Sequence, residues 1–218
     1  MAEGGAAVPL SELQLRWHVF WVRRKSDTKT RYLMEIARCV ARAVEASSPL
    51  LEIGTRSGGS ALLMLRIARA ALGPGAKPPL VITVDPYGAR PYEGEPHVYD
   101  ERHYRRMKRA LAGYANHIHY MMDSELFLNV LGQLHLWIGG RKQPIDRFAL
   151  VYLDGSHEPD IVWREITELL PRVVRGGFLI VDDTDWFDGA VRRRLDGAAS
   201  QLPGRLRHTD QQSIVEVL

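Results

Sequence analysis

The sequence predicts an α/β fold: a parallel sheet with helices on both faces, a C-terminal antiparallel hairpin and a helical N-terminal extension. Three observations carry this. From residue 50 onward, short apolar runs of strand character alternate with helix-length amphipathic stretches, the pattern of parallel strands joined by covering helices. The first of these runs leads through a glycine-rich turn directly into a helical pattern. Past residue 203 the helical stretches stop, and two short strand patterns flank a polar turn.

In chain order, residues 10 to 46 read as two helices. Leu13, Trp17 and Trp21 recur at i, i+4 and i+8 as the inner stripe of the first. Leu33, Ile36, Ala37, Val40 and Val44 form the stripe of the second, with Ser26 or Asp27 as its cap. Strands follow at Leu50 to Gly54, Val81 to Asp85, Ile118 to Met122, Phe148 to Asp154 and Phe178 to Asp182. Helices fill the gaps at Gly59 to Leu72, Val98 to Gly113, Glu125 to Trp137, Asp160 to Val174 and Phe187 to Gln201. The closing hairpin pairs Arg205 to Thr209 with Ser213 to Leu218 across Asp210, Gln211 and Gln212. Gly73 to Pro79, Pro86 to Pro96 and Gly139 to Pro144 are loops. In an open α/β sheet ligands sit outside the carboxyl ends of the strands, so the second loop, with Tyr87, Arg90 and Tyr92, borders a site.

Composition narrows the function. A chain of 218 residues with 45% apolar and 25% charged residues is one globular domain with an added lobe. We divide it into an extension, residues 1–47, and a sheet domain, residues 48–218. Lys plus Arg number 29 against 26 Asp plus Glu, a net charge of only +3. The basic runs at Arg102, Arg105, Arg106, Lys108, Arg109 and at Arg192, Arg193, Arg194 read as solvated helix faces, so no nucleic-acid partner is expected. One cysteine, Cys39, lies on an apolar helical stripe and packs as a small hydrophobe. With no leader pattern and no run long enough to span a bilayer, the expectation is a cytoplasmic protein with no membrane partner.

Three tests bear on the turn Glu52-Ile53-Gly54-Thr55-Arg56-Ser57-Gly58-Gly59-Ser60. A phosphate-binding P-loop needs a lysine before the final serine, and Gly59 stands there; a dinucleotide fingerprint needs glycine at position 56, which is Arg. The glycines still let backbone pass close beneath a ligand, and Ser57 and Ser60 can cap the helix or bond to the ligand. Glu-x-Gly-x-x-x-Gly, at Glu52, Gly54 and Gly58, resembles the first motif of the class I S-adenosylmethionine-dependent methyltransferases. The resemblance implies their Rossmann-like sheet. It also implies a cofactor site of Glu52, Gly54, Thr55, Ser57, Gly58 and Ser60, with Asp85 receiving the ribose hydroxyls and Asp123 and Ser124 near the adenine.

A second constellation joins Asp154-Gly155-Ser156-His157 to Asp182-Asp183. Adjacent parallel strands lie about 4.8 Å apart, so these carboxylates meet at one rim if their strands are neighbours. Like charges at about 4 Å repel by about 4 kcal/mol near a protein surface, so the cluster needs a cation or raised pKa values. Oxygen ligands without cysteine favour a hard ion such as Mg2+. Successive strand residues point to opposite faces, so Asp182 and Asp183 can share one ion only if the strand breaks there. The alternative is that one of the pair caps a helix or bonds to backbone.

This constellation is similar to the Mg2+-dependent branch of those methyltransferases, which includes macrolide and aminocoumarin sugar O-methyltransferases. The resemblance spans residues 50 to 186 and is poor over the N-terminal helices. It implies that Asp154, Asp182 and Asp183 hold the metal, and that His157, with Asp154 in the catalytic set, is general base on the acceptor hydroxyl. A hydroxyl near pKa 15.7 lies about 12 kcal/mol above a free histidine, so the base needs a metal on the same oxygen. The function expected is O-methylation of a sugar or oligosaccharide. A catechol or phenolic acceptor, or a cofactor-binding scaffold without catalysis, are the alternatives. The first helix, with Trp17, Phe20 and Trp21, fits a lid, a dimer contact or plain core packing, and a homo-oligomer, as a dimer, is expected.

Overall fold

The structure, a computed structural model, describes residues 9–26, 28–44, 48–73, 75–88, 100–138 and 141–218. Seven strands form one sheet. Beginning from the N-terminal extension, the elements are α1 (Glu12–Val22), α2 (Thr30–Ala43), β1 (Leu50–Ile53), α3 (Gly59–Leu72), β2 (Val81–Val84), α4 (Glu101–Leu111) and β3 (His117–Tyr120). Then come α5 (Ser124–Leu131), β4 (His135–Ile138), β5 (Arg141–Pro144), β6 (Phe148–Leu153), α6 (Pro159–Leu169), β7 (Val173–Val181), α7 (Trp186–Gly197), β8 (Gly204–His208) and β9 (Ser213–Val217). The sheet order is β3-β2-β1-β6-β7-β9-β8. The five central strands predicted from the sequence run parallel, and β9 and β8 add the antiparallel hairpin.

Both faces of the sheet are buried, as continuous apolar strand runs require. Alternate strand residues feed two cores. Leu50, Tyr152, Phe178, Ile180 and Ile214 pack with α1 to α4, while Leu51, Ile53, Val151, Leu153, Leu179 and Val181 pack with α5 to α7. The chain leaves β1 toward β2 and β3 on one side and returns through β6 toward β7 on the other. The order reverses between β1 and β6, which opens a crevice at their carboxyl ends.

Five local expectations are corrected. The inner stripe of α1 is Leu15, Val19 and Val22, whereas Leu13, Trp17 and Trp21 are 78%, 53% and 56% exposed. Both stripes have helical spacing, and the compact, branched one wins the close approach to α2 and α3. Arginines cover part of the aromatic side, with Arg66 over the Trp17 ring and Arg23 over Phe20. The N-cap of α2 is Lys29, without a side-chain bond; the Ser26 hydroxyl instead accepts from the Thr28 N–H, and Asp27 lies outside the described residues. The helix expected to reach Trp137 stops at Leu131, with Gly132 as its C-cap. His135–Ile138 then pairs antiparallel with Arg141–Pro144, within what the sequence read as a loop. Finally, α7 begins with a kink, Phe187, Asp188 and Gly189 all having positive φ.

Elsewhere the predicted stripe of α2 is buried, and Cys39 sits in the core with its thiol pushed up to about 12 by burial. No helix among the described residues is long and apolar enough to cross a membrane.

Candidate active site

The first wall of the crevice is the turn after β1. Gly54 has φ 89°, and a Cβ there would stand 1.9 Å from the Asp154 carbonyl oxygen, so β1 and β6 can approach at their tips only over a glycine. Gly58, φ 81°, is the left-handed N-cap of α3. At Gly59 a Cβ would meet Ser26 Cβ at 2.4 Å and the Lys25 carbonyl at 2.6 Å, because the α1–α2 connection lies directly on the turn. Asp85 straps the turn from β2. One carboxylate oxygen accepts from the Thr55 and Arg56 N–H groups at 3.1 and 2.8 Å, and the other from Tyr87 N–H at 3.1 Å. Those three bonds work against the rise in pKa that burial imposes on it. A carboxylate offers about four lone-pair positions, so Asp85 retains one. Glu52 lies beneath, fully buried, with its carboxyl raised to about 8 by burial against the opposing pull of the Ser60 and Thr55 hydroxyls.

Two cavities meet over this turn. The larger, about 320 Å³, is lined by Gly54, Thr55, Ser57 and Ser60 of the turn, by Asp154, His157, Asp182 and Asp183, and by Lys25, Ser26, Thr28, Lys29 and Tyr32 of the N-terminal helices and their connection. The smaller, about 180 Å³, has Asp85, Asp123, Ser124, Tyr87 and Ile161 in its walls. Gly54, His157 and Trp186 border both, so the two form one trough. Glu52 and Gly58 line neither; their part is in shaping the turn. Asp123 caps α5, accepting from Leu126 N–H at 2.8 Å, while Ser124 opens that helix beside Glu165. Arg90 and Tyr92 lie outside the described residues. Trp17, Phe20 and Trp21 border neither cavity, and their exposure rules out plain core packing.

The acidic cluster assembles at the tips of β6 and β7. These strands are neighbours in parallel register, Leu153 beside Val181, which sets Asp154 next to Asp182. The Tyr152 hydroxyl lies 2.9 Å from Asp154 Oδ2 and 2.5 Å from Asp182 Oδ2. A phenol has one proton to give, so the second contact is satisfied only when a carboxyl carries a proton of its own. Burial and mutual repulsion act the same way, lifting Asp154 well above the carboxylate range and Asp182 to about 6.

β7 ends at Val181, and Asp183 turns left-handed at φ 49°. That is the break which lets consecutive aspartates line one cleft. Asp183 Oδ2 lies 3.0 Å from His157 Nε2, and the His157 ring packs on Trp186 with centroids 4.1 Å apart. One ligand atom each from Asp154, His157 and Asp183 falls within 4.8 Å of the others. Carboxylate oxygens suit a hard divalent ion, and the carboxyl pKa values of Asp154 and Asp182 are raised first by burial and then by the neighbouring carboxylates.

Sequence reasoning missed Tyr152, Trp186, Gln212 and the α1–α2 connection. Tyr152 was legible in principle, since it sits two residues before Asp154 on the same strand face. Gln212 is fully buried beside Asp182, whose pKa its amide lowers.

A family model for a methyltransferase domain matches residues 51–184, more than half of the chain. No curated protein matches it in sequence. Among solved structures, the chain is similar to the O-methyltransferase NovP at 20% identity, covering 88% of this chain and 82% of that one with a TM-score of 0.64. It is similar to TomG, an O-methyltransferase from Streptomyces achromogenes involved in tomaymycin synthesis, at 18% identity, 97% and 91% coverage and a TM-score of 0.58. CalS11, a TDP-rhamnose 3'-O-methyltransferase of calicheamicin biosynthesis, is 13% identical, with 96% and 97% coverage and a TM-score of 0.57. At these identities the likeness concerns the fold.

Proposed function

The chain belongs to the methyltransferase domain family and is an S-adenosylmethionine-dependent methyltransferase; from this premise we propose that it methylates a hydroxyl of a sugar or oligosaccharide with the help of Mg2+. The observation that carries the reading is the meeting of Asp154, Asp182, Asp183 and His157 in the cleft that the glycine turn also lines. The solved structures that resemble it in fold include NovP and CalS11, the latter a sugar O-methyltransferase by name.

Each residue then has a task. Gly54, Thr55, Ser57 and Ser60 hold the methionine end of the donor, Asp85 offers its remaining lone pair to the ribose, and Asp123 and Ser124 border the adenine. The donor supplies an electrophilic methyl group on its sulfonium. Asp154, Asp182 and Asp183 would hold a divalent cation, which supplies Lewis acidity that makes an adjacent hydroxyl more acidic. His157 takes the acceptor proton, and Asp183 orients its ring and stabilises the imidazolium that results. Trp186 fixes the other side of the imidazole. Enclosing the reacting groups between the turn and the strand tips lets orientation contribute to the rate.

The test is methyl transfer to a panel of glycosides and catechols, followed as S-adenosylhomocysteine, with Mg2+ and with excess chelator. Turnover of glycosides, lost on chelation and restored by Mg2+, is expected. Full turnover in chelator removes the metal from the mechanism, and selective transfer to catechols replaces the sugar with a phenol. Asp182→Ala should lower kcat by roughly 100-fold or more while cofactor affinity stays within about threefold; equal loss of both would undo this division of labour.

A further inference from the structure

The α1–α2 connection brings a second kind of charge to the larger cavity. Lys25 and Lys29 both line it. Neither has a carboxylate at ion-pair distance among the described residues, whereas several nearby arginines do: Arg31 with Asp210, Arg38 with Glu12 and Glu35, Arg42 with Glu216, and Arg207 with Glu35. Lys29 Nζ donates instead to the neutral Gln211 amide at 2.9 Å, and Asp210, whose field reaches Lys29, is closed by Arg31.

Their placement is built into the fold. The backbone at Lys25 and Ser26 presses on Gly59 so closely that no Cβ fits between them. Lys29 is tied through Gln211, whose carbonyl accepts from both the N–H and the hydroxyl of Thr184, next to the metal-cluster residue Asp183. Two ammonium groups thus stand on a fixed connection in the same cleft as the carboxylates. A neutral sugar offers neither of them an opposite charge.

We propose that Lys25 and Lys29 form an anion subsite, and that the acceptor carries a carboxylate or phosphate group besides the hydroxyl that is methylated. This rests on the reading of the cleft as a hydroxyl-acceptor site. Charge-assisted bonds to two lysines give the anionic end its grip and leave the hydroxyl end to the strand tips.

The experiment compares neutral hexosides, the matching uronates and hexose 1-phosphates as acceptors, at fixed S-adenosylmethionine and Mg2+, for the wild type, a Lys25→Ala/Lys29→Ala pair and a Lys25→Arg/Lys29→Arg pair. The wild type should favour one charged series over the neutral one by roughly tenfold in kcat/KM. Which series wins identifies carboxylate or phosphate. The preference should fall toward unity in the alanine pair, persist in the arginine pair and shrink with added salt. Absence of a preference in the wild type, its survival in the alanine pair, or a loss that appears in cofactor affinity instead of acceptor KM overturns the proposal; the last outcome assigns the lysines to the methionine carboxylate of the donor. If no acceptor is methylated, the proposed reaction fails by itself. The subsite is then judged by calorimetric binding of glucose 1-phosphate in the presence of S-adenosylmethionine. Binding by the wild type that the alanine pair lacks supports it, and equal or absent binding overturns it.

Discussion

Tyr152 sits with a single phenolic proton between two carboxylates, Asp154 and Asp182, and lowers the pKa of both. Tyr152→Phe removes that effect, so the carboxyls hold their protons to higher pH. A group whose folded pKa is raised must lose a proton before it can bind a cation, so cation affinity rises with pH. Divalent-ion affinity measured by calorimetry should weaken as pH falls below about 6, the value to which Asp182 is raised, and the weakening should begin at higher pH in Tyr152→Phe. The same substitution costs about 1–2 kcal/mol of stability by leaving buried acceptors unpaired. A pH-independent affinity would contradict the protonated cluster.

Glu165 supplies a second pH dependence away from the cluster. It is 1% exposed on α6, and burial raises its carboxyl from 4.5 to about 7. The folded state therefore keeps a proton that the unfolded chain releases. Its contribution is fully present below pH 4.5 and is lost as pH rises through about 7, a change of about 3 kcal/mol. Glu165→Gln should flatten that part of the stability profile, as urea melts at pH 5 and pH 8 will show.

At the scale of elements, the contact between the α1–α2 connection and the start of α3 is the telling one. Gly59→Ala introduces a Cβ 2.4 Å from Ser26 Cβ and should destabilise the protein by about 1–3 kcal/mol, while shifting Lys25 and Ser26 and raising KM for the acceptor. Gly132→Ala is the control. No atom stands within 4 Å of a Cβ at that position, and its φ of −65° is helical, so alanine should be neutral or stabilise by about 0.5 kcal/mol. Thermal melts should show a lowered midpoint for Gly59→Ala and an unchanged or slightly raised one for Gly132→Ala.

Elements also show where sequence patterns ran out. The five parallel strands and the closing hairpin were legible because apolar runs between polar turns have few other ways to be buried. The faces of α1 were not, since Leu13, Trp17 and Trp21 keep the same helical spacing as Leu15, Val19 and Val22, and only the neighbouring helices choose between them. For α5, the apolar residues from Phe127 to Trp137 resembled one long helix, and the stop at Gly132 followed from pairing with a segment that carries no strand pattern of its own.

For the whole molecule, the trough across the β1–β6 reversal predicts strong coupling between ligand binding and folding. S-adenosylhomocysteine at about 100 times its dissociation constant should add about 2.7 kcal/mol, raising the melting temperature of a chain of this size by about 5–10 °C. Gly54→Ala should abolish that shift, because its Cβ would strike the Asp154 backbone and separate the two strand tips on which the trough depends.

The sequence by itself determined the alternation of strands and helices, the glycine turn and the acidic residues at successive strand ends, because these are local matters of periodicity, backbone freedom and residue type. Tertiary structure decided the rest. Strand order placed Asp154 beside Asp182, a left-handed turn brought Asp183 round to His157, and packing laid the N-terminal connection with its two lysines against Gly59. Such relations join residues some 25 to 35 positions apart, and no local pattern encodes a distance in space.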